Sequence, residues 1–509
     1  MRSWHSFFDM LQFPVKVLFI ACVLMGFGEV LANPQIMTII TVNDTVLTIS
    51  YGLRFAGSFI FANFPLLVVI KMVGRRHDSS TPIFAAILGY IVFLISCSFF
   101  APQTYNNEFY ASIIGIEVNM EEFNIVSDTM MYPFQTGLFA AIAVIWCTRF
   151  SYRNTRRHSS DGWLGYIDRD TLSVILTMIL SIAAGFLLTM FWPLMINLIV
   201  NVMRFIAEDI TNPINLFVYG IFDRVMALLN LSTISHNAFW FGSYGGSWIS
   251  ESGLNYYGDV GVWTAQQGAM IVSNGAGRLI TPYYLINFFA VPAIAIVFWV
   301  LNTNPEERKR YFSFMIIAIL VSIGFGSILP FEFFLLLTAP FLLVIHLVVS
   351  GLLFGILQNI GVFIGYTYNG SLTYANPGSV FNLLAYFNDT YTRGNLYLFL
   401  IVGVIVFIFY FLLAYLYYSY LALDFINLGK HTIIDQFLDS IGGLGNVRNL
   451  HAGPTKITVK VINPQIVDFN KLHETGVGKI IENRDGYNIY FGSDSIMIRR
   501  AVIKRIRGN

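Results

Sequence analysis

Long apolar runs, separated by short polar stretches, fall near 15–33, 53–73, 82–101, 133–149, 171–200, 214–231, 279–301, 311–327, 340–366 and 397–423. A helix needs roughly 20 apolar residues to cross a bilayer core. The pattern therefore predicts a polytopic α-helical membrane protein with about ten transmembrane helices. Basic residues orient the runs, because Lys and Arg stay on the cytoplasmic side. Arg2 and Lys16 precede the first run's core, Lys71, Arg75 and Arg76 follow the second, and Arg149, Arg153, Arg156 and Arg157 follow the fourth. The stretch 102–132 has no Lys or Arg but carries Glu108, Glu117, Glu121, Glu122 and Asp128. The expected N-terminus is cytoplasmic and the acidic loop external. The first run lacks a small-residue cleavage site and is read as a span.

The parity then fails. Arg308, Lys309 and Arg310 read as cytoplasmic, as does the tail, yet an odd number of apolar runs lies in each interval between basic loops. Each interval must hold a further crossing or a run that enters and returns. Re-entrant hairpins are expected in the Gly- and aromatic-rich part 239–278 and at the break 324–340. The break carries Gly324, Gly326, Pro330, Glu332 and Pro340, followed by His346. Gly and Pro free backbone groups that lipid cannot satisfy, so such breaks belong where backbone lines protein or water. A carboxylate at that depth costs about 2.5–3.5 kcal/mol on insertion scales, which makes Glu332 a site candidate.

Beyond about residue 425 the pattern becomes polar and mixed. ITVKVI (457–462) alternates as a strand, 467–476 reads as a helix stopped by Gly476, and 478–492 reads as two strands around Asp485-Gly486. A basic amphipathic helix is expected over 495–506. Residues 1–425 are thus a membrane domain and 426–509 a small cytoplasmic α/β domain.

Composition agrees with this division. Of 509 residues 56% are hydrophobic and 12% charged, against about 25% charged in soluble domains. A net charge of +1 gives no sign of a nucleic-acid partner. Cys22, Cys97 and Cys147 lie in apolar runs as packing residues, with no disulfide framework and no CxxC metal pattern. No cofactor is expected.

Without a gap, Pro330, Glu332, Phe333, Ala339, Pro340, His346 and Gly351 match T-E-P-I-E-F, then A-P, then an intramembrane His and a Gly. In this the chain resembles the glucose superfamily of bacterial phosphotransferase-system sugar permeases (enzyme IIC). Tyr219-Gly220, Arg224 and Phe239-Trp240-Phe241 extend the resemblance, as do Gly277-Arg278, Pro292 and Asn304-Pro305-Glu306. The tail resembles enzyme IIB, the phosphocarrier often fused behind enzyme IIC, through Ile441-Gly442-Gly443, Asn446-Val447, Asn449-Leu450 and Phe491-Gly492. The resemblance implies a plasma-membrane protein with both termini cytoplasmic, a homodimer, a sugar or related solute as ligand, and re-entrant hairpins around it. It also implies enzyme IIA and IIB partners.

The departures from the family pattern fall on its reacting positions. Its histidine pair falls on Ser232 and Thr233, its first motif acid on Leu329, and its phosphorylated Cys on Gly453. Lys456 keeps one of two expected cations and Thr458 replaces the other. Phosphotransfer through a thiolate needs the thiol and flanking cations, so no catalytic residue is assigned. The substrate-binding candidates are Arg224, His236, Asn237, Glu332 and His346. Each has a plainer reading. Glu332 fits a helix cap almost as well, His346 fits a packed histidine on a carbonyl better than a ligand, and Arg224 can simply neutralise Asp223. Aromatic neighbours of His236 and Asn237 also serve as interface anchors. His451 is an inert loop histidine more often than a phosphate acceptor. The basic tail residues Arg499, Arg500, Lys504, Arg505 and Arg507 read as a solvated face, with anionic lipid as the alternative.

Two functions follow. One is a sugar permease of the phosphotransferase type whose own phosphotransfer step is lost, leaving a separate enzyme IIB to supply the Cys if phosphate is transferred at all. The other is a non-transporting membrane sensor or partner-binding protein, with the tail as an interaction module.

Overall fold

The computed structural model describes residues 2–32, 44–74, 80–100, 136–155, 167–268, 275–301, 305–366, 377–387, 396–421 and most of 434–503. The acidic loop 102–132, Gly453 and much of 495–509 lie outside the described residues. The chain divides into two compact units. One comprises Met10–Val73 and Thr81–Leu421; the other comprises Ala422–Asn509 with Met1–Asp9 and Gly74–Ser80.

The described part of the larger unit is mainly helical. Among the described residues, seven helices are long and apolar enough to cross a membrane: Phe13–Leu31, Asp44–Ala62, Thr81–Phe100, Arg169–Glu208, Thr281–Leu301, Pro340–Ile360 and Tyr397–Ser419. They account for seven of the apolar runs. The runs near 133–149, 214–231 and 311–327 form Leu138–Thr155, Pro213–Leu228 and, after Pro305–Ile319, a π-helical turn at Leu320–Gly324. The run at 53–73 is broken at Asn63, between Asp44–Ala62 and Phe64–Gly74.

The helix Arg169–Glu208 spans 40 residues, or about 60 Å at the standard rise. Asp168 caps it, accepting from the Thr171 N–H at 2.8 Å. Hydrogen bonds from the Thr171 side chain and backbone hold the Asp168 carboxyl below its usual range. Ser173, Thr177, Ser181, Gly185 and Thr189 are all buried at four-residue spacing. Such a stripe of small residues lets helix backbones approach. It packs on Thr81–Phe100, where the Ser96 hydroxyl donates to the Ile182 carbonyl at 2.9 Å. The opposite face exposes Ile175, Ile179, Phe186, Met190, Leu194 and Leu198, as a lipid-facing surface would.

The crossing that places the functional residues joins Pro213–Leu228 (α7) to Pro340–Ile360 (α13), numbering the helices of this unit in chain order. Glycine makes it possible. A Cβ on Gly220 would sit 2.8 Å from the Gly351 Cα, and one on Gly351 would sit 2.6 Å from the Phe217 carbonyl oxygen. Preceding α13 is a short helix, α12 (Leu329–Thr338), whose first turn holds Glu332. Ala339 breaks the chain between α12 and α13. The break expected at 324–340 is thus present at Phe325–Ile328 and at Ala339.

The part expected to form the first hairpin contains α8 (Ser232–His236), a π-helical turn at Asn237–Phe241, an antiparallel pair of short strands, β1 (Ser247–Ile249) and β2 (Asn255–Tyr257), and α9 (Asp259–Gly268). Asp259 is buried and accepts from the Gly277 and Leu279 N–H groups at 2.9 and 3.0 Å. That ties α9 to the start of α10 (Thr281–Leu301).

In the smaller unit, β3 (Val447–Ala452), β4 (Lys456–Val461), β5 (Lys479–Asn483) and β6 (Gly486–Tyr490) form an antiparallel sheet ordered β3-β4-β6-β5. The expected strand, the helix (Phe469–Glu474) and the hairpin β5–β6 are all present. β3 and a helix over 434–440 were not anticipated. One face of the sheet carries a core of Phe437, Leu450, Ile457, Val459, Ile489, Ile498 and Val502. The last two lie four residues apart in helical conformation, as the amphipathic reading of 495–506 requires.

Candidate functional site

Two carboxylates and one guanidinium meet in the interior of the larger unit. Asp223 and Arg224 are consecutive on α7. Arg224 curls back so that its Nη2 and Nε donate to Asp223 Oδ2 at 2.6 and 3.2 Å. Asp223 gathers further donors: the Ser235 hydroxyl on α8 at 2.8 Å and the Tyr283 hydroxyl on α10. His236 Nε2 stands 3.1 Å from Asp223 Oδ1, within ion-pair reach but out of hydrogen-bond alignment. The Arg224 Nη2 also donates to the Tyr283 hydroxyl at 2.9 Å. Asp223 is fully buried and completely served by its neighbours.

Glu332 is placed differently. Arg224 Nη1 lies 3.6 Å from its Oε1, beyond hydrogen-bond range. His346 Nε2 lies 3.3 Å from the same oxygen, and its Nδ1 is 2.8 Å from the Tyr410 hydroxyl on α15 (Leu396–Leu421). Glu332 Oε2 is buried with no hydrogen-bond partner among the described residues. The carboxylate does not cap its helix; α12 follows Ile328 at the N-cap position with no side-chain cap. Nor does the His346 ring meet a carbonyl, since a carboxylate and a phenol occupy both nitrogens. The helix-cap reading of Glu332 therefore does not describe the structure, whereas His346 is the packed, buried histidine of its plainer reading with a carboxylate and a phenol in place of the carbonyl.

Aromatic rings wall the cluster. His236 stacks on Trp240 at 3.5 Å between ring centroids and 10° between planes, and Trp240 Nε1 donates to the Tyr219 hydroxyl at 3.0 Å. Tyr219 and Tyr283 both pack edge-on against Phe354. Three π-helical turns lie nearby, at Asn237–Phe241, Ile286–Ala290 and Leu320–Gly324, a feature often found at functional sites. The Ser322 hydroxyl donates to the Asn287 carbonyl and so links the last two.

Four of the five residues expected to bind substrate thus come together: Arg224, His236, Glu332 and His346. Asn237 opens the first π turn, half-buried, and its side chain makes no hydrogen bond to the cluster. Ser232 supplies only its carbonyl, accepting from Ser235 at 3.0 Å. Leu329, at the family's first acid position, is half-buried at the start of α12. Asp223 appeared in the sequence only as a neutralising partner, whereas here it is the hub. Tyr283 and Tyr410 carried no sequence signal, since hydroxyls inside apolar runs are common, and Ser235 was one hydroxyl among several in the polar stretch 232–237.

In the smaller unit Lys456 is exposed on β4, and the Thr458 hydroxyl donates to Asn488 Oδ1 at 2.7 Å. His451, exposed on β3, pairs in register with Thr458. Among the described residues no group of three or more His, Cys, Asp or Glu has the makings of a metal site. The three cysteines are buried and free.

Compared with known protein families, residues 8–351 match the family described as Phosphotransferase system, EIIC. The match ends at Gly351 of α13 and includes the helices bearing Asp223, Arg224, His236, Tyr283, Glu332 and His346.

Proposed function

The chain belongs to the phosphotransferase system EIIC family, a family of multi-pass plasma-membrane sugar permeases, and from that premise we propose that it binds a sugar or related small solute at the Asp223–Arg224–Glu332–His346 cluster, with its own phosphotransfer step lost. The observation that carries this reading is the convergence of charged and aromatic side chains from separated helices at membrane depth. Intramembrane ionisable residues are conspicuously costly and mark solute or proton pathways. Sugars bind through hydrogen bonds at their edges and apolar contact at their faces, which Arg224, Glu332 and the Trp240–His236 stack offer together.

Loss of phosphotransfer rests on Gly453, which has no nucleophile, and on the absence of any cysteine after Cys147. A separate enzyme IIB is the partner that would restore the step. A glucose-superfamily type, a degenerate enzyme IIB tail, cytoplasmic termini and a homodimer belong to the same proposal. One observation favours the non-transporting alternative. Asp223 is saturated by the chain's own donors and Leu329 removes an acceptor, so the cluster is tied internally rather than left open to a solute.

The test is a thermal-shift screen of sugars and sugar phosphates on the detergent-solubilised chain. A solute that raises the melting temperature of the wild type but not of Glu332→Gln or Arg224→Gln supports solute binding at the cluster. No shift with any member of a broad panel supports the sensor reading.

A further inference from the structure

One cation faces two carboxylates in this cluster, leaving one negative charge in excess when both histidines are neutral. The imbalance falls on one side. Asp223 has Arg224, Ser235 and Tyr283 as direct donors and His236 at 3.1 Å. Among the described residues Glu332 has the 3.3 Å contact with His346 and Arg224 at 3.6 Å, and its Oε2 has no hydrogen-bond partner. A buried carboxylate with an open oxygen, which shares its one guanidinium with a second carboxylate, is disfavoured as an anion in a low-dielectric interior. A single proton removes the excess charge.

We propose that Glu332 and His346 hold one exchangeable proton at membrane depth, with Tyr410 at the far end of the chain, making this a proton-binding site alongside the solute cluster. The proton adds to the free Oε2 of Glu332. No other bond changes: if Nε2–H of neutral His346 donates to Oε1, then Nδ1 accepts from Tyr410, and that pattern survives protonation of Oε2. The titratable and charged groups that meet Glu332 are Arg224 on α7 and His346 on α13; Tyr410 on α15 reaches it through His346, Asp223 and Tyr283 through Arg224, and His236 through Asp223. A proton fits better than a metal ion, because among the described residues no group of three or more His, Cys, Asp or Glu could hold one. With no phosphocysteine in the tail to drive uptake, such a proton supplies a different coupling ion. That coupling rests on the solute-permease reading; proton uptake itself does not.

The experiment is acid-minus-alkaline infrared difference spectroscopy on the full chain reconstituted in lipid, in potassium, sodium and choline salts. The expected result is a protonated-carboxyl band present in wild type and in Asp259→Asn and absent from Glu332→Gln. It should titrate alike in all three salts. Tyr410→Phe, which keeps the ring and its packing, should alter the proton affinity about three- to tenfold, the worth of one hydrogen bond. That variant decides the matter if Glu332→Gln does not fold. A Glu332→Gln spectrum identical to wild type, an unchanged midpoint in Tyr410→Phe, or a band that appears only without sodium would each overturn the proposal. If the band behaves as expected while no sugar shifts the melting temperature, the permease reading fails and the proton site stands. A sugar shift with no Glu332 band gives the converse.

Discussion

Asp223→Asn and Glu332→Gln each remove one buried negative charge with little change of shape, yet they should differ sharply in cost. At Asp223 the charge faces two guanidinium contacts of 2.6 and 3.2 Å, a serine hydroxyl at 2.8 Å and the Tyr283 hydroxyl. Removing one partner of such a buried pair costs about 3–5 kcal/mol, because the other is left uncompensated. At Glu332 no guanidinium nitrogen is within hydrogen-bond reach, the closest being 3.6 Å away, and one carboxylate oxygen is bare. Loss of its attraction to Arg224 is offset by relief of its desolvation, so Glu332→Gln should lie within about 1 kcal/mol of wild type. The assay is reversible unfolding in mixed micelles, followed by tryptophan fluorescence; Trp192, Trp240 and Trp263 are all buried. Adding Arg224→Gln to Asp223→Asn should cost less than the two single changes summed, as expected for residues in direct contact. Equal penalties for Asp223→Asn and Glu332→Gln, or a larger one for Glu332→Gln, would refute the division of the cluster into a saturated and an unsaturated carboxylate.

Other perturbations probe the scaffold and the tail. Gly351→Ala drives a Cβ to 2.6 Å from the Phe217 carbonyl and should cost about 1–3 kcal/mol or more as overpacking; Gly52→Ala, whose Cβ meets nothing within 4 Å, should be neutral or stabilising by up to about 1 kcal/mol. Size-exclusion yield of the folded protein after heating compares the two. Ile489→Ala, in the core of the smaller unit, should lose about 2–5 kcal/mol and sensitise residues 434–503 of the full chain to protease; unchanged cleavage would contradict the packing described. Incubated with the general phosphotransferase proteins and radiolabelled phosphoenolpyruvate, the chain should take no label in 431–509. Gly453→Cys should be labelled only partially, since Thr458 leaves one cation missing, and labelling at full family rates would show that cation to be dispensable.

Much of this was legible in the sequence, for a physical reason. A charge inside an apolar run is an anomaly that only burial with partners explains, so Glu332 and His346 stood out, and Gly324 to Pro340 marked a break. The partners were another matter. Tyr410 lies in a run of otherwise apolar residues and Ser235 in a polar loop; each becomes a ligand of a carboxylate only because helices far apart in the chain cross there. The closeness of that crossing is set by Gly220 and Gly351. Gly351 could be matched to a motif, but its role in admitting the Phe217 carbonyl needed the packing. The split at Asn63 was hidden because a single polar residue barely interrupts the hydropathy. In the tail, β3 escaped because VRNLHA lacks clean alternation and its pairing with β4 is irregular between Val447 and Asn449, whereas the Asp485-Gly486 turn announced β5 and β6.

The most direct test of the central claim is photolabelling with a diazirine derivative of whichever sugar shifts the melting temperature, with the sites mapped by mass spectrometry. The expected adducts lie in peptides spanning 219–241 and 329–346 and disappear in excess unlabelled sugar. Competed adducts confined to other helices, or none at the cluster, would contradict the assignment of the buried Asp223–Arg224–Glu332–His346 network as the solute site.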